Sequence, residues 1–141
     1  MNPDISIRDA MEDDLKAIKI LMSIYFLDIE EIPADNFAVA ELDGRIIGAC
    51  ALVYDIFPEI HSIAVHPSYR GKGIGKSLIQ YLLPRVRDES SVYARTTSPG
   101  FFEKAGFVET DPLKKTEIWE DCAECNRLNT CNQSVMCLKL E

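Results

Sequence analysis

Residues 59–78 read Glu59-Ile60-His61-Ser62-Ile63-Ala64-Val65-His66-Pro67-Ser68-Tyr69-Arg70-Gly71-Lys72-Gly73-Ile74-Gly75-Lys76-Ser77-Leu78, and the other elements are predicted around this segment. Its first part, Ile60 to Val65, has the apolar and β-branched composition of a buried strand, which Pro67 ends. After the glycines, apolar residues recur at every fourth position, at Ile74, Leu78, Leu82 and Val86. The stretch therefore predicts a strand, a basic glycine loop and an amphipathic helix.

The junction between this loop and the helix is suited to an anion. Glycines can take positive φ and allow another group close to the backbone, and the loop has Gly71, Gly73 and Gly75. The first N–H groups of a helix lack intrahelical partners, and the helix dipole adds partial positive charge there. Full positive charges stand at Arg70, Lys72 and Lys76. We expect a pocket for a di- or polyphosphate.

Length and charge limit the classes of protein that fit. A chain of 141 residues with 47% hydrophobic residues predicts one domain, residues 1–141, with a proper core. The net charge of −8 disfavours binding to nucleic acid, so the basic loop is a local exception. There is no apolar run long enough for a bilayer and no signal-peptide pattern at the start of the sequence. We therefore expect a cytoplasmic protein without a membrane partner.

The rest of the chain predicts alternating strands and helices. Asp43-Gly44 is a strong hairpin turn, and Pro84 predicts a kink or an early end of the helix that follows the loop. The predicted order is β-α-β-β-β-α-β-α-β, an α/β sandwich with a mixed sheet. Its elements are a strand around Ile5 and Ile7, a helix over Glu12 to Phe26, strands over Phe37 to Leu42 and Arg45 to Tyr54, the strand and helix of the opening stretch, a strand over Ser91 to Thr97, a helix over Pro99 to Lys104 and a strand over Val135 to Leu140.

The form of the loop, Arg70-Gly71-x-Gly73-x-Gly75 after Val65-His66-Pro67, resembles motif A of the GNAT superfamily of N-acetyltransferases. A Walker loop would need Gly-x-x-x-x-Gly-Lys-Ser/Thr, which the chain lacks. The resemblance implies the GNAT fold, an α/β fold with a mixed central sheet of about six to seven strands flanked by helices, and a loop that holds the pyrophosphate of acetyl-CoA. The cofactor-binding residues it implies are Ile63, Ala64, Val65, Arg70, Gly71, Lys72, Gly73, Ile74, Gly75, Lys76 and Phe102.

From Asn36 onward the chain looks like the short amino-acid acetyltransferases of the N-acetylglutamate synthase type. The similarity lies in the strand Glu59 to Val65, the helix Phe101 to Phe107 and the tail Lys115 to Cys125. The first third departs from those proteins, since no Lys or Arg occurs between Lys19 and Arg45. A glutamate carboxylate would need a cationic partner, preferably arginine, and Arg8 or Arg95 could supply it. We take Arg95 as the candidate substrate-binding residue, together with Glu59.

The chemistry that this resemblance implies is attack of a neutral amine on a thioester carbonyl. It requires a base for the amine, donors for the oxyanion and an acid for the departing thiolate. Glu59 is the first candidate for the base and His61 the second, and the Val65 N–H would stabilise the oxyanion. Similar proteins often have a tyrosine where this chain has Phe102, so Tyr93, water or no dedicated acid serves the thiolate.

The five cysteines leave a metal site open. Cys50 lies in an apolar strand and is most simply a core residue. The spacing of Cys122, Cys125 and Cys131 could hold zinc or an iron–sulfur cluster, with Cys137 a doubtful fourth ligand. Reduced thiols or one disulfide are the simpler interpretations of this Cys-containing C-terminal segment, residues 115–137, and we expect no metal.

Three functions fit these observations. The first is an acetyl-CoA-dependent N-acetyltransferase that acts on a small-molecule amine, such as the amino group of glutamate, by direct attack in a ternary complex. The second is an N-acetyltransferase of proteins, peptides or polyamines, and the third is a non-catalytic acetyl-CoA-binding module. We expect the first, with a small-molecule amine as the partner, and a homodimer stays open.

Overall fold

The chain folds around a mixed sheet with helices. The computed structural model describes residues 4–27, 29, 32–54, 57–87, 91–96, 99–110 and 134–140. Within these residues the sheet has seven strands. The elements in chain order are β1 Ser6–Asp9, α1 Leu15–Ser23, β2 Phe37–Leu42, β3 Arg45–Tyr54, β4 Pro58–Val65, α2 Ile74–Leu82, β5 Ser91–Thr96, α3 Pro99–Lys104, β6 Val108–Thr110 and β7 Ser134–Lys139.

The sheet is mixed, as the sequence predicts. Its strand order is β1-β2-β3-β4-β5-β7-β6. Strands β4 and β5 are parallel, with Glu59 opposite Tyr93, whereas β1 with β2, β2 with β3, β5 with β7 and β6 with β7 pair antiparallel. The short strand β6 was not predicted, because its three residues are mostly exposed and give no apolar alternation.

The chain divides into two compact units, and the first contains residues 1–53 and 60–87. Its core includes Ile18 and Met22 of α1 and Phe37 and Val39 of β2, all without exposed surface. Helix α2 buries Ile74, Leu78 and Leu82, three of the four residues in its predicted stripe. The helix packs close because Gly48 of β3 has no side chain: a Cβ there would lie 3.2 Å from side-chain atoms of both Ile74 and Leu78.

Both helices of this unit end earlier than their apolar stripes extend. Helix α1 begins at Leu15, after a 3-10 turn over Glu12–Asp14, and it ends at Ser23. Helix α2 ends at Leu82, and a 3-10 turn over Leu83–Arg85 contains Pro84. Proline lacks the N–H that would continue the helix, so the predicted early end at Pro84 is confirmed.

The second unit contains residues 54–59 and 88–141, and β5, α3, β6 and β7 lie in it. Its buried residues include Val92 and Ala94 of β5 and Val135 and Met136 of β7. Helix α3 has the predicted bounds and ends in a Schellman motif. Phe107 N–H donates to the Phe102 carbonyl and Gly106 N–H to that of Glu103, both at 3.0 Å, with Gly106 at φ +98°.

None of the helices in the described ranges combines the length and the apolar composition that a membrane crossing requires. The residues 111–133, which include Cys122, Cys125 and Cys131, lie outside the described part, and so does the predicted end of β5 at Thr97. The predictions for the cysteine segment and for a single domain over residues 1–141 therefore stay predictions.

Candidate functional site

The strand β4 passes into the loop through a hydrogen-bonded turn. His66 N–H donates to the Ile47 carbonyl at 2.8 Å, which continues the pairing to β3. The His66 ring caps the 3-10 turn Pro67–Tyr69, since Ser68 N–H donates to its Nδ1 at 3.1 Å. This histidine thus has a local structural role, which fixes the direction in which the chain leaves the strand.

The loop glycines fall into two kinds. Gly71 and Gly73 have φ values of +77° and +79°, the left-handed region in which a side chain is strained. Gly75 does not, because it is the second residue of α2, so the expected positive φ holds for two of the three. Gly73 is the N-cap of α2, and the first intrahelical bond runs from Ser77 N–H to the Gly73 carbonyl.

The start of α2 therefore offers donors for an anion. The N–H groups of Ile74, Gly75 and Lys76 precede that first bond, and no side chain caps this helix end. A Cβ built on Gly71 or Gly73 meets no atom within 4 Å, so open space lies next to the loop backbone. Oriented N–H groups, a helix dipole and open space are the features that favour binding of an anion.

The positive side chains of this region have no carboxylate partner among the residues that the structure describes. We call residues 70–76 the basic loop, and its cations are Arg70, Lys72 and Lys76. The ion pairs found in the described ranges involve Arg8 and Arg85 instead. Two loop cations lie over aromatic rings: Arg70 Cζ is 6.0 Å from the centroid of Tyr25, and Lys72 Nζ is 6.0 Å from that of Tyr69. Such contacts orient a cation without neutralising it.

Arg8 is not available for a substrate carboxylate. Its Nη1 donates to Asp14 Oδ2 at 2.8 Å, and its Nη2 donates to Asp14 Oδ1 at 3.1 Å and to Glu41 Oε1 at 3.2 Å. The hydrogen bond from Arg8 lowers the pKa of Asp14, and the bond from Met11 N–H acts in the same direction. The prediction that Arg8 could hold a substrate is therefore not supported by this geometry.

A second ion pair ends the same strand. Arg85 Nη2 donates to Asp9 Oδ1 at 2.6 Å, and the Tyr81 hydroxyl donates to the same oxygen at 2.8 Å. The bond from Tyr81, and then the bond from Arg85, lower the pKa of Asp9. We call Arg8, Asp9, Asp14, Glu41, Tyr81 and Arg85 the β1 cluster, because its contacts join β1 to its neighbours.

Tyr25 is the residue of this region that sequence reasoning missed. Its position at the end of an apolar stripe indicated a core side chain, and the ring is indeed half-buried. Its hydroxyl, however, donates to the Val65 carbonyl at 2.5 Å. The signal in the sequence was the residue type, since a buried tyrosine hydroxyl usually has a hydrogen-bond partner.

The candidate base His61 is exposed on β4, and its Nδ1 lies 2.7 Å from Oγ of the buried Ser62. One ring nitrogen is therefore engaged by a neighbour on the chain. Glu59, the first candidate, is only 8% exposed and lies opposite Tyr93 on β5. Paired residues of parallel strands point to the same face, so Glu59 and Tyr93 share a face of the second unit. The Tyr93 ring also contacts Phe57 edge-on, with centroids 5.6 Å apart.

Arg95 follows Tyr93 by two residues on β5 and is half-buried, so it lies on the same face of the strand. Phe102 is buried on α3, with its ring edge-on to Phe101 and Phe107 at centroid distances of 5.1 and 5.2 Å. This packing explains an apolar ring at that position. A contact of Phe102 with the cofactor stays a prediction.

The described cysteines do not form a metal site. No group of three or more metal-binding side chains occurs in the described ranges. Cys50 is fully buried in β3, as a core residue would be, and burial raises the pKa of its thiol.

Comparisons with known proteins agree with the fold. Residues 6–107 match the model of the acetyltransferase (GNAT) family. An uncharacterised N-acetyltransferase of Chlorobaculum tepidum is 32% identical over 106 residues, which are 72% of this chain and 68% of that protein. An amino-acid acetyltransferase of Mycobacterium tuberculosis is 31% identical over 132 residues, 82% of this chain and 75% of that protein.

The fold also matches a solved structure. N-acetylglutamate synthase of Neisseria gonorrhoeae, complexed with coenzyme A and N-acetyl-glutamate, superposes with a TM-score of 0.82 at 23% identity. The match covers all of this chain and 36% of the synthase, so the chain spans about a third of that protein's length. The family match, the relatives and the fold agree, and the chain belongs to the acetyltransferase (GNAT) family, whose acetyl donor is acetyl-CoA.

Proposed function

We propose that the chain acetylates the amino group of a small molecule, an amino acid such as glutamate, and that it binds the pyrophosphate of acetyl-CoA at the basic loop. The observation that carries this proposal is the charge of the loop. In a protein of net charge −8, Arg70, Lys72 and Lys76 have no carboxylate partner among the described residues and stand beside the N–H groups that begin α2. A diphosphate fits such a site because its oxygens accept from both kinds of donor.

The reaction is a direct attack in a ternary complex. The nitrogen of the neutral amine forms a bond to the thioester carbon, a base takes the proton of the amine, and the carbon–sulfur bond breaks to release the thiolate of CoA. The Val65 N–H would stabilise the oxyanion that forms at the thioester oxygen. Tyr93 or water would return a proton to the thiolate.

Glu59 is our first choice for the base. It is a nearly buried carboxylate on β4, and a carboxylate that is shielded from water is a stronger base than one in solution. His61 is second, because it is exposed and its Nδ1 is engaged by Ser62. Either residue could also act through one bound water.

The acceptor is proposed from charge and from similarity. Glu59 and Arg95 place a carboxylate and a guanidinium on one face of the second unit, and an α-amino acid presents the complementary pair, an amine and a carboxylate. The relative from Mycobacterium tuberculosis is named an amino-acid acetyltransferase. A cytoplasmic location and a homodimer stay predictions.

An acceptor screen tests the proposal. Purified protein and acetyl-CoA are incubated with glutamate, other amino acids, polyamines and short peptides, and the release of CoA thiol is measured. We expect release with amino acids, and we expect Arg95→Gln to raise their KM about tenfold or more, with Arg45→Gln, at an exposed arginine of the first unit, as the matched control. Release only with polyamines or peptides would refute the amino-acid acceptor.

The base is tested separately. Glu59→Gln keeps the shape and removes the proton acceptor, so kcat should fall about 100-fold with little change in the Kd of CoA. His61→Gln should lower kcat less. If the two variants exchange these effects, His61 is the base; if neither changes kcat, water alone serves the amine.

A further inference from the structure

We propose that Tyr25 is a positioning residue of the acetyl-CoA site. It holds the end of β4 at Val65 and the side chain of Arg70 in the basic loop. The inference rests on the proposed role of that loop. Two contacts carry it, one made by the hydroxyl and one by the ring, and they reach parts of the site with different tasks.

The hydroxyl contact holds the end of the strand. The carbonyl of Val65 accepts from Tyr25 at 2.5 Å, and the N–H of the same peptide group, on His66, donates to the Ile47 carbonyl at 2.8 Å. Both polar atoms of this peptide are therefore engaged, so it has little freedom to rotate. The N–H of Val65, our oxyanion donor, is on the same residue, and a donor of this kind must be oriented before the reaction.

The ring contact holds a charge. Arg70 is exposed and has no carboxylate partner among the described residues, so its long side chain would otherwise sample many rotamers. The face of the Tyr25 ring lies 6.0 Å from its Cζ. An aromatic face restricts the guanidinium and leaves its N–H groups free to donate to a phosphate.

The backbone of α1 places Tyr25 for both contacts. The helix ends in a Schellman motif: Leu27 N–H donates to the Met22 carbonyl and Phe26 N–H to that of Ser23, both at 3.1 Å. The left-handed position of the motif is Phe26, with φ +59° and a side chain that is 96% exposed. Tyr25 directly precedes this left-handed residue, so the motif fixes the backbone from which its side chain extends.

Two substitutions separate the contacts. Tyr25→Phe removes the hydroxyl and keeps the ring, so kcat should fall about fivefold to tenfold while the Kd of CoA stays within twofold. Tyr25→Leu removes both, so the Kd of CoA should also rise about fivefold. The matched control is Tyr81→Phe, which removes a hydroxyl of the β1 cluster and should change neither quantity. Melting temperatures show that each variant is folded.

A double-mutant cycle with Arg70→Gln completes the test. If the ring acts through Arg70, Tyr25→Leu should weaken CoA binding no further in the Arg70→Gln background. Additive effects, or a Tyr25→Phe variant with unchanged kcat, would overturn the inference. If Arg70→Gln and Gly73→Asp leave the Kd of CoA unchanged, the assignment of the basic loop itself is wrong, which is a separate outcome.

Discussion

The basic loop and the β1 cluster both contain arginines, but the arginines of the two regions have different partners. In the β1 cluster Arg8 and Arg85 form ion pairs with carboxylates at N···O distances of 2.6 to 3.2 Å, so their charge is balanced by other residues of the protein. In the basic loop Arg70 and Lys72 lie over rings and lack carboxylate partners in the described part of the chain. A paired cation stabilises the protein, whereas a cation on a ring keeps its charge for a ligand.

The largest effect should follow from a negative charge in the basic loop. Gly73→Asp should raise the Kd of CoA about 100-fold or more, since the new carboxylate repels the pyrophosphate. Gly73→Asn is the control, because asparagine has the same size and tolerates the same left-handed backbone. Calorimetric titration measures both variants. Equal losses for Asp and Asn would mean that backbone strain, and not charge, weakens binding.

The second-largest effect on CoA binding should follow from removing the positive charges of the basic loop. The triple variant Arg70→Gln, Lys72→Gln, Lys76→Gln should raise the Kd of CoA about 30-fold and remove most of its dependence on salt. The free energy of unfolding should change by no more than about 0.5 kcal/mol per substitution, because these side chains are exposed and have no carboxylate partner among the described residues. A large loss of stability would show that the loop cations are structural after all.

A substitution in the β1 cluster should lower the stability of the protein and leave CoA binding unchanged. Arg8→Met should lower the free energy of unfolding by about 1–2 kcal/mol, since it leaves Asp14, with 12% of its side chain exposed, without its partner. The Kd of CoA should not change. Lys16→Met is the control for loss of a surface cation, and urea denaturation measures all three proteins. A variant that binds CoA more weakly would tie the β1 cluster to the site.

The smallest effect concerns acid. The bond from Arg8 depresses the pKa of Asp14 below its unfolded value, so this carboxylate stabilises the fold above the ordinary Asp pKa, and the contribution is lost as the pH falls from there through the depressed folded-state pKa. Asp14→Asn should therefore flatten the fall in stability below about pH 5, by at most about 1 kcal/mol after solvent screening. Urea midpoints across this range test it, and an unchanged slope would contradict it.

The two Schellman motifs show what the sequence could and could not predict. At the end of α3 the left-handed residue is Gly106, the residue type that favours this conformation, and the predicted end of that helix is confirmed. At the end of α1 it is Phe26, which gives no such signal, and the helix was predicted three residues too long. The sequence therefore indicates such a turn only where the left-handed residue is of a type, such as glycine, that adopts this conformation without strain.

The same limit applies to the candidate site. The basic loop could be predicted because its glycines, cations and helix start are adjacent in sequence. The contact of Tyr25 with Val65 could not, because it joins residues 40 positions apart, and composition says nothing about such pairs. The pairing of Arg8 with Asp14 and Glu41 could not be predicted either, since the sequence gives the number of cations and not their partners.

Gly48 has a consequence for how cofactor affinity can vary. It lies behind α2, and its missing side chain sets how closely Ile74 and Leu78 approach β3. An alanine or serine there would require the side chains of Ile74 and Leu78 to give way by a few tenths of an ångström, and we expect part of that shift to reach the N–H groups at the start of α2. Random mutagenesis for weakened CoA binding should therefore recover position 48 beside the loop residues. Natural variants could adjust their affinity there in small steps, without any change to a residue that contacts the ligand.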